Sequence, residues 1–220
     1  MTRHRGGVGT VTHEVEATLR SRLLPFCCRE SRAMLFYIKR YLSLEIVVTL
    51  LLGGLGYWAI RRNGLPLNLR LTPQVIALGL AGSLWLTLWT LLVQYGYSVA
   101  KGKAYSEQLT ASLAREYANV SPIQILFGGL TAGCGEEIFF RGFVQQAFGL
   151  VTASFLFMLV HFGKKEIRIV SLWSIFQGLY LGLFFAWSKN LLVPMIAHGL
   201  FDIGGMIYFR GFMAHREKTV

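Results

Sequence analysis

The sequence predicts an all-α polytopic membrane bundle of about six transmembrane helices, with interfacial helices at the N-terminus and in one loop. Three observations predict it. The chain is 54% apolar; counted with glycine and without tyrosine the share is about 61%, where soluble domains average roughly 45–50%. Six apolar runs approach the length of about 20 residues that spans a bilayer. And seventeen of the 22 Lys and Arg fall in alternate segments between those runs, the positive-inside pattern.

Taken in order, residues 1–41 form a basic segment with eight Lys and Arg. Residues 1–15 read as disordered, while 14–41 mix Arg with Leu, Phe and Tyr, which suits an interfacial helix. The first apolar run starts only near residue 34 and no small-residue cleavage site follows, so no signal peptide is expected. Cys27 and Cys28 are juxtamembrane; palmitoylation is one reading and two reduced thiols are the plainer one. Residues 42–119 hold two spans, 42–60 with Glu45 as its one charge and 73–99 with none, followed by a surface helix at 103–119. A core over 120–210 holds four more runs: 122–148, 150–162, 169–188 and 191–209. The fourth run is short, and Pro194 is expected to start the sixth helix late. Thr72-Pro73 and Ser121-Pro122 are helix starts, an N-cap hydroxyl followed by proline at N1. Residues 211–220 are a basic tail.

The positive-inside bias places both termini in the cytoplasm, as an even number of spans requires. Arg61, Arg62, Arg70 and Lys189 fall on the opposite side, and Arg141 stands alone within a run. Topology therefore accounts for the net charge of +11, and no nucleic-acid partner is expected. The partners expected are the lipid bilayer and a membrane-associated protein or peptide. The chain is expected to be a multi-pass protein of the cell's inner or plasma membrane.

The polar outliers in the last four runs are Glu136, Glu137, Arg141, His161, His198 and Asp202. A charge at mid-bilayer costs roughly 2.5–3.5 kcal/mol by insertion scales, so such groups should face one another and mark function. Glu137 and Arg141 are four apart and share a helix face. Glu136 points about 100° away from Glu137 on a 3.6-residue period, free to look into the bundle. Phe157 and His161 are four apart, as are His198 and Asp202. Taken singly, each of these residues has a plain structural reading: a lone membrane His bonds a carbonyl, and a Glu–Arg pair glues a helix. The functional reading rests on the whole set.

The stretch EEIFFR, Glu136 to Arg141, matches EExxxR. FMLVH, Phe157 to His161, matches FxxxH, and HGLFD, His198 to Asp202, matches HxxxN/D. In this order, each within an apolar run, they resemble the CAAX-protease and bacteriocin-processing family (CPBP, or Abi) of intramembrane endopeptidases. The resemblance covers about residues 120–210; the N-terminal segment and first two runs carry none of it. It implies an all-helical membrane fold and hydrolysis of a peptide bond near the membrane surface; separately, no cofactor is expected, with zinc the alternative. The resemblance also implies Glu136 as the catalytic glutamate, His161 as its partner and His198 as the oxyanion-side histidine. Glu137, Arg141 and Phe157 are supports. Asp202 stands where CAAX-type members often carry Asn.

Peptide hydrolysis needs a base to activate water and a group to stabilise the oxyanion. An ionised Asp donates no hydrogen bond, so Asp202 is either protonated or orients His198. Zinc is the nearest rival, because two His and a Glu form a known catalytic ligand set: Glu136, His161 and His198. Against it, HExxH is absent and the ligands would converge from three spans. Ser171 and Ser174 lack a surrounding G-x-S-x-G. Other classes are an inactive scaffold or immunity-type protein of the same fold, and a small transporter, which would often show internal repeats; none is evident here. Cys134 has no second cysteine nearby for a metal or disulfide. Gly178 and Gly182 form a small-xxx-small pattern, and Gly128, Gly129, Gly133 and Gly135 would let a neighbouring backbone approach.

Overall fold

The computed structural model describes residues 46–161 and 168–216. The N-terminal interfacial helix, Cys27, Cys28 and the basic pair Lys164 and Lys165 lie outside these residues. The described residues are helical and contain no strand. Helix α1 covers 46–62, α2 Pro73–Lys101, α3 Lys103–Ala114 and α4 Pro122–Thr131. Helix α4 runs on through two π-helical segments, π1 (Ala132–Glu136) and π2 (Ile138–Gln145), into the short α5 (Gln146–Phe148). Then come α6 (Leu150–Val160), α7 (Arg168–Ser188) and α8 (Leu192–Arg216).

Two helix starts follow their caps. Thr72 Oγ1 accepts from the Val75 N–H at 3.3 Å, with Pro73 in the first turn. Ser121 and Gln124 form a reciprocal capping box, again with proline next in line. Each cap satisfies N–H groups that the helix itself leaves unpaired.

Three elements depart from the pattern the sequence suggests. Helix α8 begins at Leu192 rather than late at Pro194. Pro194 lies in the first turn, where a missing N–H costs nothing because no intrahelical acceptor awaits it. Helix α3 stops at Ala114 rather than 119, because Glu116, Tyr117 and Val120 bond back three residues in tight turns. And the run 122–148 is not α-helical throughout, since thirteen of its residues wind as π-helix. Such winding normally appears as single turns, often at functional sites.

Close backbone contacts hold that π-helical stretch. A Cβ on Gly133 would lie 2.6 Å from the Met195 carbonyl oxygen, and one on Gly56 would lie 2.7 Å from Phe139 Cα. A Cβ on Gly53 would sit 2.9 Å from Gly135 Cα. Helix α1 therefore packs on one side of the π-helical stretch and α8 on another, backbone to backbone, as small residues allow between membrane helices.

Among the described residues, two helices are long and apolar enough to cross a membrane: Pro73–Lys101 and Leu192–His215. Only 22% of the most apolar window of α2 is buried within the protein. Leu84, Trp85, Tyr95 and Val99 are all more than half exposed. The core helix of a soluble domain would be covered instead. Six spans are thus not all visible as single long α-helices among the described residues. The third run is divided by its π winding, and α6 has 11 residues, about 16 Å at the usual rise of roughly 1.5 Å per residue.

The 63–72 loop anchors the start of α8. Asn68 Nδ2 donates to the Lys189 carbonyl at 2.9 Å, Asn190 Nδ2 donates to the Arg70 carbonyl at 2.8 Å, and the Leu191 N–H donates to the Asn68 carbonyl at 2.9 Å. These bonds fix the height of α8 and hence of His198, two turns in.

Candidate active site

Glu137 sits at the π1–π2 junction and is fully buried. Its Oε1 accepts from Arg141 Nη1 at 2.9 Å, the pairing that the four-residue spacing suggests. The same oxygen lies 2.8 Å from His198 Nδ1 on α8. That contact joins residues 61 apart, and no local pattern announces it. Arg141 reaches further: Nη2 donates to the Gly178 carbonyl on α7 at 3.1 Å, and its guanidinium carbon stands 4.6 Å over the Phe157 ring. Phe157 on α6 is fully buried, with its edge against Phe140 and near His198. One buried cluster therefore ties π2, α6, α7 and α8 together.

Gln145, one turn after Arg141, donates to the Gly182 carbonyl at 2.8 Å. Arg141 and Gln145 are four apart, and so are their acceptors, Gly178 and Gly182. The two glycines thus do more than allow close packing: the approach they permit presents two carbonyls to two donors at matched spacing. The recurrence of this interval in both segments was the available signal.

His198 is held at both ring nitrogens. Nδ1 faces Glu137, and Nε2 lies 3.3 Å from Asp202 Oδ2, one turn along α8. Carboxylate oxygens only accept when ionised, so only the imidazolium donates to both.

Glu136 and His161 form a separate, more open pair. His161 lies just past the end of α6 rather than within a helix. Its Nδ1 is 2.8 Å from the Phe157 carbonyl oxygen, which only accepts. Nδ1 therefore carries the proton, and in a neutral ring Nε2 offers a lone pair. That Nε2 lies 3.9 Å from Glu136 Oε2, too far for a hydrogen bond. Glu136 Oε2 has no hydrogen-bond partner among the described residues. The His161 and Glu136 side chains are 34% and 12% exposed, whereas Glu137, Arg141 and His198 are almost sealed. The first pair is therefore the more open of the two.

Among the described residues, no group of three or more His, Cys, Asp or Glu is arranged to hold a metal ion. The zinc set of Glu136, His161 and His198 would require His198 to give up a carboxylate partner. Cys134 is exposed and in no disulfide.

Residues 118–204 match the family model described as type II CAAX prenyl endopeptidase Rce1-like. This segment is similar to the Rce1-like family. It contains Glu136, Glu137, Arg141, Phe157, His161, His198 and Asp202, and it begins just before α4. Helices α1 to α3 lie outside it. The Rce1-like family is membrane-embedded, which agrees with the exposed apolar face of α2. The uncharacterized protein YpbD of Bacillus subtilis (strain 168) is 40% identical to this chain over 99 residues, 43% of this chain and 50% of that protein. The chain thus spans about half the length of the curated relative it matches. No solved structure matches the chain.

Proposed function

We propose that this chain is an intramembrane peptidase of the CAAX-protease-like type, which hydrolyses a peptide bond of a membrane-associated protein or peptide with water activated by Glu136 and His161. The observation that carries the proposal is the Glu136–His161 pair. Two acceptors face each other across 3.9 Å, and one carboxylate oxygen takes no donor among the described residues. A water between them donates one O–H to each and so presents its oxygen lone pair outward. The six-span arrangement with both termini cytoplasmic belongs to the same proposal.

The water oxygen bonds to the substrate carbonyl carbon, and its proton passes to Glu136. The carbonyl electron pair moves to oxygen, where the His198 Nε2–H stabilises it. Asp202 holds that nitrogen loosely at 3.3 Å, so the imidazolium shares its proton with the oxyanion. Collapse of the intermediate breaks the C–N bond, and Glu136 returns its proton to the leaving amine. Glu137 and Arg141 touch no reacting atom; they position His198 and the catalytic helix. No resident metal takes part.

Membranes bearing His161→Ala at wild-type abundance should release no new protein termini. Wild-type membranes treated with a strong chelator should continue to release them. Turnover lost to the chelator and restored by zinc would make Glu136, His161 and His198 metal ligands and overturn this mechanism.

A further inference from the structure

Helices α4 and α8 enclose a groove outside the proposed active site. Its volume is ≈ 490 Å³, within the roughly 300–1,000 Å³ of small-molecule sites. Pro122, Ile125 and Leu126 form one wall, and Ile203, Ile207 and Ala214 the other. Gly211 also lines it, and a Cβ on Gly211 would meet nothing within 4 Å. One charged side chain lines this apolar trough: Arg210. Among the described residues Arg210 has no ion-pair partner, yet it is half-buried. The N-terminus of α4, at Pro122, adjoins the same end and adds the positive end of a helix dipole. The nearby Tyr117–Phe209 stack shows that this is the end of the bundle bearing α3, with Lys101, Lys103 and Arg115.

We infer that the groove binds an anionic phospholipid of the adjacent leaflet, with one acyl chain along the α4–α8 trough and the phosphate on Arg210. The chemistry is complementary at both ends. A half-buried guanidinium with no carboxylate partner among the described residues selects a phosphate, which it meets with two N–H donors. A free inorganic anion would leave the apolar trough unfilled, because among its described lining residues only Arg210 carries charge. The groove abuts the proposed site: Ile203 follows Asp202 and fills the notch over Gly129. Lipid binding itself does not depend on the catalytic reading.

Native mass spectrometry of the delipidated full chain, titrated with phosphatidylglycerol or phosphatidylcholine, tests this. Phosphatidylglycerol should bind several-fold more tightly than phosphatidylcholine, because both offer the phosphate to Arg210 but the choline cation of phosphatidylcholine is repelled by the guanidinium. Arg210→Gln should remove that preference, and Arg210→Lys should largely restore it. Gly211→Leu, which fills the trough, should abolish binding of both lipids without lowering thermal stability. Arg62→Gln should change nothing, and millimolar inorganic phosphate should not displace the lipid. Equal binding of the two lipids by wild type, wild-type affinity in Arg210→Gln or Gly211→Leu, or displacement by phosphate would each overturn the inference.

Discussion

Glu137 Oε1 takes two partners at once, Arg141 at 2.9 Å and His198 at 2.8 Å, while Oε2 takes none among the described residues. With the carboxylate fully buried, everything that neutralises it is within this cluster. Arg141→Ala removes the main cation and leaves a buried charge, a change that typically costs about 3–5 kcal/mol. We therefore predict low abundance and a lowered melting temperature in detergent for that variant. Arg141→Lys should be intermediate, because an ammonium does not span Glu137 and the Gly178 carbonyl as the fork does. Normal abundance and melting temperature in Arg141→Ala would refute a structural role. The Glu137–Arg141 pair was legible in the sequence because both residues lie on one helix at a fixed interval. The Glu137–His198 contact was not, because it depends on how two helices cross, and no local interval encodes that.

At the scale of the element, the π-helical stretch is set by glycines rather than by the residues it displays. Gly133 meets the backbone of α8, and Gly53 and Gly56 in α1 meet the backbone around Gly135 and Phe139. A methyl group has no flexible neighbour to push aside there. Gly133→Ala should cost about 1–3 kcal/mol, as overpacking generally does. Gly54→Ala, where a Cβ would meet nothing within 4 Å, should be neutral or slightly stabilising, since alanine favours the helix by up to about 1 kcal/mol. Thermal unfolding of both variants in one detergent checks the contrast, and equal melting temperatures would contradict it. The sequence suggested that Gly129, Gly133 and Gly135 admit a neighbouring backbone, because a glycine-rich apolar helix has few other uses. The π winding itself was hidden, since hydrophobic periodicity within a lipid-facing run is too weak to separate i→i+4 from i→i+5 bonding. The early end of α3 was hidden for a related reason: its three-residue turns need no Gly or Pro to mark them.

At the scale of the whole molecule, charge and apolarity supply the arrangement, and distant contacts supply the site. The proposed six crossings would put seventeen Lys and Arg on one side of the bundle and four on the other. Reporter fusions after residue 66 and at residue 220 should therefore report opposite sides of the membrane; the same side for both would reduce or redistribute the crossings. Glu136, His161, His198 and Asp202 come from three helical segments, π1, the end of α6, and α8, and all four residues fall within residues 118–204, the span matching the Rce1-like family model. The central claim is that Glu136 activates water for peptide hydrolysis, and the most direct measurement reads the products. Protein termini in the membrane fraction would be sequenced by mass spectrometry from cells supplying either wild-type chain or Glu136→Gln at matched abundance. A set of new internal termini is expected with wild type and is absent with Glu136→Gln. The same set of termini in both cells would contradict it.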